Sequence, residues 1–423
     1  MQVFIIFIVT SLISLLRVTV TNREALSSLV WAEDGLFPLC IAAHGYVQCL
    51  FDPYAGYLLF LSRSLAAPVA LFPQSTWPLV TNLVAAVTFG LLSSLITYLL
   101  LRAHVPVRVA VGAGLVTVLL PIVGLETINT AGSAYMLLLV AAAITVSFTF
   151  SPQLPWFITP LLLFLSAITI PSSVVLVLPL LAALIAYPGE QRKRTLLSIA
   201  TLVGGLVVQL LVITTATNTR SVEITLRSLK DWVEQFPNAL FSLVPTVAKL
   251  DELGRLSAFF YDPNVWIGLL SLVALSAFAI FLFTRRSSQL RGAGWLLVTG
   301  VLIGFIPALA GYPNNRYFVV PIIALVISIF IWMSSVFERQ HQAITIVIIA
   351  LIFFGWFPDF GASQFRATAS PPWNQMLTQI QEQCRLDPNS TVTFTFSPNW
   401  PFEDGILLGP TSNIVNCDIV QKP

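Results

Sequence analysis

The chain is poor in charge. Only 9% of its 423 residues are Asp, Glu, Lys or Arg, where a soluble domain carries about 25%. So few charged residues cannot cover the water-facing surface of a soluble fold this long. Disorder is excluded by the same composition, because it needs low hydrophobicity and high net charge; here 57% of residues are hydrophobic and the mean hydropathy is +0.87. Histidine is scarce as well. His44, His104 and His341 are scattered, so no metal-ligand cluster or Ser-His-Asp arrangement can be read from them. A Walker-type or dinucleotide glycine motif is lacking, which argues against a nucleotide-driven cytoplasmic engine. The 21 basic and 19 acidic residues nearly cancel to +2, and no nucleic-acid partner is expected. The four cysteines follow no zinc spacing. Internal repeats, low-complexity tracts and long charged blocks are absent.

Long apolar runs are what the chain has in quantity. A membrane-spanning helix needs roughly 20 mostly apolar residues. Runs at 3–20, 77–101, 107–125, 131–148, 196–217, 265–284, 295–312, 317–337 and 343–357 fit that length. The stretch 156–187 is apolar throughout but contains Pro160, Pro171 and Pro179. It reads as two short helices broken at Ile170-Pro171-Ser172, since proline ends or kinks a helix. The fold class expected is an all-α polytopic membrane protein of about eleven transmembrane helices.

Charge placement orients it. With the N-terminus cytoplasmic, the inside turns hold Arg102, Arg108, Arg192, Lys193, Arg194, Arg285, Arg286, Arg291 and Arg339, and only Glu190 and Glu338 are acidic there. Reading 156–187 as one span would move part of this set across the membrane and break the pattern. The C-terminus then lies outside, and a plasma or inner membrane is the expected location. No small-residue cleavage site follows the first run, so it is treated as an anchor.

Three polar stretches fall outside: a first loop at 21–78, a second at 218–264 and a tail at 358–423. Residues 1–357 are therefore read as the transmembrane domain and 358–423 as a small extracytoplasmic α/β unit. Within the tail, 372–384 has helical composition and 391–396 alternates like a strand. All four cysteines lie in these outside stretches, which suits an oxidising compartment. Pairing within each stretch, Cys40 with Cys49 and Cys384 with Cys417, is expected, although sequence alone does not fix connectivity.

The first loop holds the candidate chemistry. It reads Trp31-Ala32-Glu33-Asp34-Gly35, then a short apolar run at 36–43, then Asp52-Pro53-Tyr54-Ala55-Gly56-Tyr57. An apolar segment at 58–72 follows; with Arg63 and Pro68 inside it, an interfacial helix suits it better than a span. Two adjacent carboxylates repel, which raises one pKa unless a cation relieves them. Glu33 and Asp34 are thus a candidate general base; solvated loop acids, or a cap for the helix at Leu36, are the alternative. Arg316, in the short turn Gly311-Tyr312-Pro313-Asn314-Asn315-Arg316-Tyr317, can grip a phosphate bidentately or anchor a span end beside Tyr312 and Tyr317. Arg63 can pair with an acid of the first loop, touch a phosphate, or snorkel to the headgroups, and Arg17 has the same ambiguity. Glu126 with Asn129, and Tyr57, are candidate substrate contacts at outer helix ends.

A first span, an acidic pair, an interfacial helix and about ten further spans resemble the C-type membrane glycosyltransferases. That superfamily includes protein O-mannosyltransferases, oligosaccharyltransferases and mycobacterial arabinosyltransferases. The run from WAEDG at 31–35 through PYAGYLLFLSR at 53–63 is also similar to a set of bacterial multispanning proteins grouped with the glycosyltransferases. The resemblance implies a polyprenyl-phosphate sugar donor, a glycan or lipid-linked acceptor, and the family's acidic pair at Glu33 and Asp34. Metal dependence varies across the superfamily, so a divalent cation is left open. The competing expectation is a transporter or flippase of lipid-linked glycans, for which the break at Pro171 is the one hint. A third is an accessory scaffold in the membrane, in which these acids would be dispensable.

Overall fold

A computed structural model describes residues 1–21, 25–30, 32–54, 56–148, 155–215, 226–241, 265–309, 315–336, 372–394 and 414–420. Nearly all of them are helical. Helix α1 (Gln2–Thr21) is followed by the short helices α2 (Ala25–Ser28), α3 (Ala32–His44), α4 (Tyr46–Phe51) and α5 (Phe60–Ala70). Next come α6 (Trp77–Arg102), α7 (Val107–Leu119), α8 (Pro121–Glu126), α9 (Tyr135–Ser147), α10 (Ile158–Thr169), α11 (Val177–Ala186) and α12 (Glu190–Thr215). Then follow α13 (Leu226–Phe241), α14 (Val265–Phe283), α15 (Ser288–Leu309) and α16 (Val319–Val336). The tail contributes α17 (Trp373–Leu386) and α18 (Cys417–Val420). Among the described residues six helices, α1, α6, α12, α14, α15 and α16, are long and apolar enough to cross a membrane. The expected run at 343–357 lies outside the described residues, as does Arg339.

Two prolines set the breaks. At 170–171 the chain leaves α10 through Ile170 in an extended conformation, and a 3-10 turn (Pro171–Leu176) leads into α11, where the sequence places the break. At 120–121 the expected single helix over 107–125 is instead two, α7 and α8. Leu120 is extended (φ −56°, ψ 134°), as a residue before proline prefers, and Pro121 has no N–H to continue the ladder. The carbonyls orphaned at the end of α7 need a donor. Arg17 supplies it: Nη1 donates to the carbonyls of Val118 at 2.6 Å and Leu120 at 3.0 Å. A buried cation at a helix C-terminus also suits the macrodipole. The snorkelling alternative for Arg17 does not hold.

Apolar and polar residues are sorted in reverse of a soluble protein. On α1, Phe4, Ile8, Leu12 and Leu16 point outward, while Thr10, Ser14 and Arg17 are buried. Repeats of three and four place each set on one helix face. With lipid tails as solvent there is no penalty for outward leucine, and small residues let helices approach. At Gly90 of α6 a Cβ would collide with Ser11 Oγ and the Phe7 carbonyl of α1, so this contact requires glycine. Helix α9 is buried along its whole length and forms the centre, with α6, α10, α15 and α16 packed around it.

The bundle has two unlike ends. At one, Gln289 Nε2 donates to the His104 carbonyl at 2.5 Å, tying the α6–α7 turn, with Arg102 and Arg108, to the α14–α15 turn with Arg285 and Arg286. Helix α12 starts beside Arg192-Lys193-Arg194 and reaches the first loop at Gln209, about 25 Å further along its axis. The first loop and the tail therefore share the opposite end. There Trp373 stacks between Trp77 (5.8 Å) and Phe394 (5.6 Å), and its Nε1 donates to the Gln74 carbonyl at 2.7 Å. In the tail, strands β1 (Thr391–Thr393) and β2 (Ile414–Asn416) pair antiparallel with Val392 opposite Val415. A Cys384–Cys417 disulfide ties α17 to α18.

Candidate functional site

The acidic pair is not in a loop. Glu33 and Asp34 occupy the first turn of α3, where a negative charge faces the unsatisfied N–H groups of the helix start. The Glu33 side chain lies outside the described part. Asp34 is 4% exposed, and its carboxylate reaches across to a second helix start. Oδ1 accepts the Gly132 N–H at 2.6 Å and Oδ2 the Ala131 N–H at 3.1 Å. These amides open the 3-10 turn (Ala131–Ser133) that leads into α9, so Asp34 caps the central helix from 97 residues away. Ser62 of α5 closes the clamp by donating to the Gly132 carbonyl at 2.9 Å.

Asn129 sits two residues earlier with φ +53°, a left-handed conformation that asparagine tolerates. Its amide is engaged on both sides. Oδ1 accepts from Ser14 Oγ at 3.0 Å, and Nδ2 donates to Asn82 Oδ1 at 2.6 Å. Asn82 in turn donates to the Pro78 carbonyl at 2.8 Å. The network joins α1, α6 and the 127–133 turn in a medium where an unpaired amide would be expensive.

Arg63 is 1% exposed, so no headgroup reaches it in this conformation. Its partners all come from one short stretch: Nη1 donates to the Cys49 carbonyl at 2.5 Å, Nη2 pairs with Asp52 Oδ2 at 3.4 Å, and the guanidinium lies 4.8 Å from the Phe37 ring centre. The Cys40–Cys49 disulfide staples that stretch. Burial pushes the Arg63 pKa down to about 10, while the charge and hydrogen bond of Asp52 pull it back up; it remains a cation at neutral pH. Tyr57 pairs through its backbone with Tyr54 (2.8 and 3.2 Å) around Gly56 at φ +90°, and its ring is half-buried.

Arg316 lies in a 3-10 turn (Asn315–Phe318), half-buried, with its guanidinium 5.3 Å from the Tyr317 ring. Helix α8, which ends at Glu126, packs against this turn; the Glu126 side chain lies outside the described part. Segment 121–133 thus touches the Arg316 turn at one end and Asp34 at the other. That is how the structure brings the acidic and basic candidates to one end of the bundle. Among the described residues, no group of three or more His, Cys, Asp or Glu side chains could hold a metal ion.

One anchor was missed by sequence reasoning. Gln209, buried in the last third of α12, donates to the Leu58 carbonyl and accepts the Leu58 N–H, both at 3.0 Å. It fixes the lead into α5 much as a strand neighbour would. A lone amide in an apolar run of that length was the available signal, because such a group needs a partner. No protein-family model and no curated protein matches this chain. What the described residues define is a mostly helical chain with six helices long and apolar enough to cross a membrane.

Proposed function

We propose that this protein is a multispanning membrane glycosyltransferase working on the extracytoplasmic face. It has about eleven spans, a cytoplasmic N-terminus and an extracytoplasmic C-terminus, oriented by the basic turns. The donor is a polyprenyl-phosphate sugar and the acceptor a hydroxyl of a glycan or lipid-linked glycan. Glu33 takes the proton from the acceptor hydroxyl. The acceptor oxygen attacks the anomeric carbon, and the bond from that carbon to the lipid phosphate breaks. Arg316 stabilises the charge on the departing phosphate. Asp34, with both oxygens already accepting backbone N–H groups, holds the acidic turn against the start of α9.

The observation that carries this reading is the Asp34 carboxylate, buried at the loop end against a segment whose other end packs on the Arg316 turn. An acid, an arginine and an interfacial helix at one membrane surface suit a reaction between a lipid-borne donor and a polar acceptor. The test is to supply labelled polyprenyl-phosphate sugars to the purified chain in lipid, together with glycan acceptors. Label should pass to the acceptor. Absence of transfer from every such donor, with the protein folded, rejects the reading. A reporter fused after Pro423 should register outside; a cytoplasmic signal removes its geometric basis.

A further inference from the structure

Helix α13 carries a donor that its surroundings leave unused. Its apolar face seats Trp232, 1% exposed, against the end of α15 and the 3-10 turn Asn315–Phe318. The indole stacks on Phe318 at 5.7 Å and meets Phe305 edge-on at 5.2 Å, with Phe236 also at 5.2 Å. Inside this aromatic nest the indole Nε1 is buried and has no hydrogen-bond partner among the described residues. A buried indole normally finds one, and an unmade bond of this kind costs stability. Packing explains the ring and not the donor, since the phenylalanine rings around it offer no oxygen acceptor.

The location indicates the missing acceptor. Phe318, on which the indole stacks, belongs to the same 3-10 turn as Arg316, and α13 packs on that turn alongside α8. A buried N–H next to a turn that bears a guanidinium selects an anionic oxygen over a neutral one. We infer that the Trp232 indole N–H is a second donor, with Arg316, to a phosphate oxygen bound at the 315–318 turn. The phosphate is that of a lipid headgroup, and this identity of its carrier rests on the glycosyltransferase reading. The same two groups would take free phosphate by the same chemistry.

Binding separates these cases without requiring transfer. The full chain in phosphatidylcholine nanodiscs is titrated with undecaprenyl phosphate and with undecaprenol, which has the same tail and no phosphate. The wild type should prefer the phosphate. Trp232→Phe, which removes the donor and leaves a smaller ring in the nest, should bind the lipid phosphate about tenfold more weakly and keep its affinity for undecaprenol. Unchanged lipid-phosphate affinity in Trp232→Phe overturns the inference. So does a wild type that binds both lipids equally. Inorganic phosphate is the third arm: if it displaces the lipid at comparable concentration, and does so only with Trp232 present, the site stands with free phosphate as its ligand. Binding that depends on Trp232 in a protein that transfers no sugar would keep the phosphate site and discard the glycosyltransferase reading.

Discussion

The two ends of the bundle treat charge in opposite ways. At the end with the short turns, Arg102, Arg108, Arg192, Lys193, Arg194, Arg285 and Arg286 are all exposed. The Lys193–Glu190 pair there spans 3.7 Å with both groups largely solvated. At the loop end, Arg17, Arg63, Asp34 and Asp52 are all buried, and each is held by named partners from a distant part of the chain or a stapled loop. Exposed basic residues interact with water and with the membrane potential and surface, so they orient a chain without shaping it. Buried charges must be matched atom by atom. The contrast teaches that the first end records topology and the second records geometry.

Four changes should break or sharpen that contrast. The largest effect is expected at the buried ion pair. Asp52→Ala leaves Arg63 buried without its counter-ion and should cost about 3–5 kcal/mol, whereas Lys193→Ala should stay within about 0.5 kcal/mol; denaturation in detergent compares them directly. Similar losses would erase the distinction between the ends. Next comes the staple of the tail. Replacing Cys384 and Cys417 together by serine should cost about 2–4 kcal/mol, read as faster proteolysis around 373–420 with the bundle intact. Third, Gln209→Leu strands the Leu58 N–H and carbonyl and should cost about 1–3 kcal/mol, with faster hydrogen exchange at Leu58. The smallest stability change is expected when Arg192, Lys193 and Arg194 become glutamate. That variant should instead disturb the sidedness of a reporter after Pro423, and an unaltered signal there would deprive the basic turns of their orienting role.

Much of the architecture was legible from residue type alone. Six apolar runs correspond to six long helices, and the break at Pro171 follows from proline chemistry. The break at Pro121 follows from the same chemistry but hides inside a run whose hydropathy never falls, so composition favours one span there. The cysteine pairs joined in the structure are those expected from their grouping. The partners of the charged residues were less visible. Asp34 is held by two backbone amides of Ala131 and Gly132, and Arg17 by backbone carbonyls; main-chain partners leave no signature in side-chain identity. For Arg63, pairing with an acid of the first loop was one of the expected readings, and the structure shows that acid to be Asp52, eleven residues earlier; which acid it is depends on burial, which residue type alone does not reveal.

The central claim is that the acidic turn divides its labour, with Glu33 moving the proton and Asp34 holding the turn. It is tested most directly by measuring sugar transfer and melting side by side for Glu33→Gln and Asp34→Asn. The account predicts that Glu33→Gln loses about 10²–10⁴-fold in transfer rate with unchanged melting. Asp34→Asn, which leaves one acceptor oxygen for two N–H groups at the start of α9 and removes the charge, should lower melting and transfer together. Near-normal transfer by Glu33→Gln would contradict the account.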